Sequence, residues 1–179
     1  MKYLYVLLFI VIVSVIPAVG QTKPVSVKVI RGDNIHFPIN SSARIKGGMD
    51  LINRTELQLA CTDTTSILGT YTKWMLTVKA YEQDNITGLV YEKELDLRTI
   101  QIQVTFDNIT IGSNTDKPAL PVYLSQIEED LIWGELDATG KMSGRVLISY
   151  FCGQNPSFNF INILGDEYLV SLEFILTMF

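Results

Sequence analysis

The chain has 179 residues, 47% of them hydrophobic and 18% charged, with a formal net charge of −5 at pH 7. An acidic balance with no Lys/Arg cluster repels phosphate backbones, which argues against nucleic acid as a partner and against charge-driven adhesion to anionic lipid. The length suits one domain with its own core, and no internal repeat or low-complexity tract interrupts it.

The opening MKYLYVLLFIVIVSVIPAVGQ has one Lys after the start, an apolar run from Tyr3 to Ile16, a helix-breaking Pro17 and small residues Ala18 and Gly20. This reads as a secretory signal peptide over residues 1–20, cleaved before Gln21, because the run falls short of the ~20 apolar residues that a membrane-spanning helix needs. The expected product is a single domain, residues 21–179, exported to the periplasm, cell surface or extracellular space without a helical membrane anchor.

Period-two alternation dominates the rest of the chain. Val25, Val27 and Val29 share one strand face, as do Leu57, Leu59 and Cys61, then Trp74, Leu76, Val78 and Ala80, then Ile100, Ile102, Val104 and Phe106. Turn chemistry separates them at Arg31–Asn34, Lys46–Gly48, Asp84–Gly88, Gly112–Asn114, Ala138–Gly140, Gly153–Pro156 and Gly165–Asp166. Residues 112–121, GSNTDKPALP, read as the clearest loop, and Leu124–Trp133 as the only segment with room for a helical turn. The fold class predicted is all-β: an antiparallel, Greek-key-type β-sandwich of about eight to ten strands.

Cys61 and Cys152 are the only cysteines. In an oxidising compartment, with both on apolar strand faces, they are expected to pair. A loop that long would remove about 4–5 kcal/mol of chain entropy from the unfolded state.

Chemistry is sparse. The single histidine, His36, shares parity with Asn34 and Pro38, opposite Ile35, Phe37 and Ile39, which places it on a surface or edge strand. No G-x-S-x-G elbow accompanies it, and a His/Cys zinc site lacks ligands, so neither a catalytic set nor a metal or cofactor is expected. Glu128, Glu129, Asp130, Glu135 and Asp137 are the remaining acid–base candidates, and adjacent carboxylates in a polar loop read as a solvated face rather than as a glycosidase pair. Tyr123, Trp133, Phe158 and Phe160 are the candidates for an exposed aromatic binding surface for sugar or peptide. Asn40, Asn53, Asn85 and Asn108 head Asn-x-Ser/Thr triplets, which are glycan acceptors in a eukaryotic secretory pathway and simply turn-rich sequence in a bacterium.

The closing YLVSLEFILTMF places Val170, Leu172, Phe174, Leu176 and Met178 on one face, and Ser171, Glu173, Ile175, Thr177 and Phe179 on the other. An outer-membrane barrel, the second alternative, would put Glu173 toward lipid along with Phe179, at a cost near mid-strand. A sandwich that buries this strand between neighbours needs no further assumption.

The signal-like start, the cysteine pair, the alternating Val25–Val29 segment and the apolar last strand together resemble bacterial surface proteins of the chaperone-usher pilin kind. The tripeptide Trp74-Met75-Leu76 is similar to the W-x-L signature of another bacterial surface family. The pilin resemblance implies strand addition, in which an N-terminal extension of one subunit fills the groove of the next. The expectation is therefore a non-catalytic, exported structural or adhesive protein that meets other surface subunits or glycans, with a carbohydrate- or peptide-binding module as the alternative.

Overall fold

A computed structural model of the chain describes residues 4–12, 25–39, 42–63, 70–81, 85–160 and 166–179. In chain order its elements are β1 (Leu4–Ile12), β2 (Val25–Arg31), β3 (Asn34–Ile39), the short helix α1 (Ser42–Gly47), β4 (Met49–Thr62), β5 (Lys73–Ala80), β6 (Asn85–Thr87) and β7 (Glu94–Asp96). A 3-10 turn at Leu97–Thr99 leads into β8 (Ile100–Ile111), β9 (Ser113–Asp116), β10 (Val122–Tyr123), β11 (Glu129–Glu135), β12 (Lys141–Cys152) and β13 (Glu167–Met178).

Two open sheets form a sandwich, one in the order β3-β1-β13-β5-β11-β9 and the other β10-β8-β12-β4-β2, with β6 and β7 as a separate hairpin. The chain alternates between the sheets, so neighbours within a sandwich sheet are never consecutive in sequence and every ladder closes a long loop. Each sheet keeps two edges, which sets aside the closed barrel. The buried side chains of the two sheets meet in one core, with Leu57, Leu59, Val146, Ile148 and Tyr150 from one side and Trp74, Leu76, Val170, Leu172 and Phe174 from the other. Their positions follow the period-two patterns, because side chains on a pleated strand point alternately to its two faces.

Departures from the pattern have local causes. Phe106 is 53% exposed although it shares parity with Val104, because β8 carries one extra residue, Thr105, between the registers Val104↔Ile148 and Phe106↔Leu147. That bulge turns the rest of the strand over. Residues 129–133 belong to β11 rather than to a helix; a register shift between Asp130 and Ile132 lets Leu131 and Ile132 both face inward, which imitates a helical apolar run. The helix falls instead on Ser42–Gly47, and part of the expected 112–121 loop is the edge strand β9.

Asp166, expected only to mark a turn, is 1% exposed. Its carboxylate accepts hydrogen bonds from the backbone amides of Val90 at 2.8 Å, Tyr91 at 2.9 Å and Lys93 at 3.4 Å, and so fastens the β6–β7 hairpin to the start of β13. Gly88 is obligatory beside it, since a Cβ there would lie 2.0 Å from Asp166 Oδ2. Asp166→Ala strands several amide donors and is expected to destabilise the fold by about 1–3 kcal/mol, with hydrogen exchange rising first at Val90–Lys93. Thermal denaturation together with exchange mapping checks this.

Candidate functional site

The last strand and its neighbours form the most distinctive part of the molecule. In β13, Tyr168, Val170, Leu172, Phe174 and Leu176 are buried against the opposite sheet, as the parity predicts. On one edge, Leu172–Met178 runs antiparallel to Trp74–Ala80 of β5. On the other, Glu167–Phe174 runs parallel to Tyr5–Ile12 of β1. The first half of β13 therefore takes its sheet neighbour from β1. β1 also pairs antiparallel with the whole of β3, Leu4–Phe9 against Asn34–Ile39, and is the strand that joins β3 to the sheet.

The β1–β13 ladder is parallel whereas the other described ladders are antiparallel. Parallel neighbours normally need a long crossover. Here they are the first and last strands described, so no direct connection has to be threaded between them. Residues 1–3 and 13–24, and with them the expected cleavage position before Gln21, lie outside the described residues.

On the outer face of β13, Glu173 is 7% exposed and lies 3.3 Å from Lys79 Nζ, its register partner on β5. Lys79 also reaches Glu128 at 3.7 Å, and Glu128 accepts a hydrogen bond from Thr77 at 3.2 Å. The other end of β13 is fixed by Phe179, whose carbonyl accepts from the amides of Thr72 and Lys73 and whose amide donates to Lys73 O.

The expected disulfide is not formed. Cys61 and Cys152 are both buried as free thiols. Parity places them on the same core, but β4 and β12 are antiparallel, so Cys61 sits opposite Met142 at one end of the ladder and Cys152 opposite Met49 at the other. Ten residues of strand separate Met142 from Cys152, roughly 30 Å, against the Cα separation of about 7 Å that a disulfide tolerates. Sharing a face does not bring two residues together. Burial pushes the Cys61 thiol from its ordinary 9.0 up to about 12 and raises Cys152 as well. It also raises the Tyr168 phenol from 10.0 to about 12, with the Asp166 charge adding to the shift. The folded chain thus holds these protons more tightly than the unfolded one, and the stability they contribute is complete below pH 9 and lost as pH climbs toward 12. A thiol reagent should find two thiols per chain after denaturation without reductant, and neither while folded; the melting temperature should fall progressively above pH 9. A denatured chain with no reactive thiol would contradict this.

Of the four aromatic candidates, two come together. Tyr123 and Phe158 meet edge to face with ring centroids 5.8 Å apart, and Asn155 donates its side-chain amide to the Tyr123 hydroxyl. The Arg98 guanidinium lies 4.3 Å above the Phe158 ring and is held by two hydrogen bonds to Asp96, whose carboxyl it lowers below the usual range. One face of Phe158 is thus already covered. Trp133 is half-buried on β11 in the other sheet. Phe160 is a correction: it is fully buried, with Gly153 so close that a Cβ there would lie 2.3 Å from the ring.

His36 is exposed on β3 at the sheet edge. Asp137 accepts from the amides of Lys141 and Thr139 and from the Thr139 hydroxyl, and these bonds hold its carboxyl below the ordinary range. It closes the β11–β12 turn, while Glu128 is taken up by Lys79 and Thr77. Among the described residues no group of three or more His, Cys, Asp or Glu is arranged to hold a metal ion, and no helix is long and apolar enough to cross a membrane. Of the Asn-x-Ser/Thr positions, Asn108 is exposed on β8 and Asn85 lies in β6. Asn53 is tied into the fold by Thr105, and Asn40 lies outside the described residues. Trp74 and Leu76 of the W-x-L tripeptide are fully buried and register with Met178 and Leu176.

No protein-family model matches the chain, and no curated protein matches it in sequence.

Proposed function

We propose that this is an exported, non-catalytic structural protein of the cell surface or periplasm that assembles by strand addition. The observation that carries the proposal is the double pairing of β1: the segment that reads as a signal peptide is the strand between β3 and β13. Cleavage before Gln21 takes that strand away. It leaves β3 without its sheet partner and opens one edge of β13, with a row of unpaired amides and carbonyls above an apolar core. An edge of this kind templates pairing with another chain. The uncleaved chain, with its own segment in place, is the closed form, and processing opens it.

The test is to express the full sequence with passage through a secretory pathway and to examine the product by N-terminal sequencing and by light scattering coupled to size exclusion. The expected product begins at Gln21 and elutes as assemblies. An exported protein that keeps residues 1–20 and stays monomeric would overturn the reading.

A further inference from the structure

A cleft of roughly 640 Å³ opens between β3, α1 and β4. Its lining includes Asn34 and His36 of β3, Arg44 of α1, and Asp50 and Arg54 of β4. Two arginines line it, on a chain whose net charge is −5.

The backbone is shaped to hold Arg54 at this place. Between the registers Leu51↔Tyr150 and Thr55↔Ile148, β4 sets three residues against the single Ser149 of β12. Asn53, at the centre of this bulge, has φ 53, a left-handed conformation that Asn tolerates better than most residues. A closed ring of hydrogen bonds fixes it: Asn53 N donates to Ser149 Oγ at 2.8 Å, Ser149 Oγ pairs with Thr105 Oγ1 at 2.8 Å, and Thr105 Oγ1 donates to Asn53 Oδ1 at 2.6 Å. Thr105 is itself the bulged residue of β8, so distortions in both neighbours of β12 meet at Ser149. Beyond the bulge, Thr55 Oγ1 donates to Gly32 O at 2.8 Å, which leaves Tyr150 OH as the donor to Thr55 at 2.7 Å. Gly32, at φ +75, sits so close that a Cβ would lie 2.1 Å from Arg54 O. On the facing wall, Arg44 is anchored by its Nη1 donating to Pro38 O at 2.6 Å. Bulges and left-handed residues secured in this way re-aim side chains, and they concentrate at binding sites.

We propose that this cleft binds an acidic saccharide of one or two rings, with the carboxylate or sulfate against Arg54 and Arg44 and ring hydroxyls donating to Asp50 and Asn34. The volume falls in the range of small-ligand sites, about 300–1,000 Å³. Guanidinium forks match a planar oxyanion, whereas Asp50 accepts hydroxyl protons and would repel a bare anion. A neutral sugar would miss the arginines, and an inorganic anion would face Asp50. One wall of the cleft is β3, whose sheet partner is β1, so the site belongs to the chain with that seat filled, and titrating the full-length chain keeps its test separate from that of strand addition.

The experiment is a titration of the full-length, isotope-labelled chain with glucuronic acid, glucose and sulfate, followed through backbone amide shifts. Glucuronate should shift Asn34–His36 and Asp50–Arg54, and sulfate and glucose should bind at least about tenfold more weakly. Arg54→Ala should lose at least about tenfold in glucuronate affinity, with Arg54→Lys recovering part of it; Asp50→Ala should weaken glucuronate and leave sulfate no weaker. The melting temperature of each variant verifies its fold. Absence of glucuronate shifts, glucose or sulfate binding as tightly as glucuronate, or a folded Arg54→Ala or Asp50→Ala variant with unchanged glucuronate affinity would overturn the proposal.

Discussion

Removing Glu173–Phe179 is expected to leave a chain that does not fold. The deletion takes Phe174, Leu176 and Met178 out of the core, each worth about 1.5–3 kcal/mol when fully buried. It strips β5 of the neighbour that runs beside it from Trp74 to Lys79, and it removes the Phe179 backbone that receives the amides of Thr72 and Lys73. It also takes Glu173 from Lys79. Against a domain stability of roughly 5–15 kcal/mol, losses of this size leave little or nothing. Circular dichroism should show no cooperative unfolding transition. A folded, monomeric product would mean that the last strand is dispensable to its own sheet.

The second large effect concerns β1. Prepared from Gln21 onward, the chain lacks the partner of β3 and of the first half of β13, so it should be marginally stable when dilute and should associate when concentrated. A peptide of the Leu4–Ile12 sequence, flanked by lysines for solubility, should occupy the vacated seat. At a hundredfold excess over its Kd it should stabilise the processed chain by about 2.7 kcal/mol, a rise of roughly 5–10 °C in Tm. The same peptide carrying Leu8→Pro, which deletes a ladder amide, should do much less. A processed chain that is already monomeric and indifferent to the peptide would show that β3 and β13 close without a third strand.

Period two made most of this architecture legible. Leu57, Leu59, Trp74, Leu76, Val170, Leu172 and Phe174 are buried where alternation places them. Strand pairing was less legible, because alternation fixes which face a residue occupies and says nothing of its position along a ladder; hence Cys61 and Cys152 share a core and sit at opposite ends of it. Bulges were invisible as well. A single extra residue at Thr105 turns Phe106 outward, and one shift in β11 makes Leu131-Ile132 look helical. The β1 seat escaped because a run of nine apolar residues suits a signal peptide and a β-strand equally well. Asp166 and Arg54 carry no motif: one is a turn residue until Val90, Tyr91 and Lys93 close on it, and the other an ordinary surface cation until Asn53 and Gly32 shape the backbone beneath it. The aromatic candidates failed at Phe160 because loop position suggests exposure, whereas Gly153 lets the ring pack inward.

The central claim, that β1 occupies a seat which processing vacates and a second chain refills, is tested most directly by amide exchange along Glu167–Met178 in the chain that begins at Gln21. Amides of Glu167–Phe174 directed toward β1 lose their partners in that chain, whereas Leu172–Met178 keeps its pairing with β5. In dilute, monomeric protein the amides directed toward the β1 seat should exchange rapidly while those bonded to β5 stay protected, and concentrating the sample should protect both sets. Equal protection of both sets in a dilute monomer would contradict the claim.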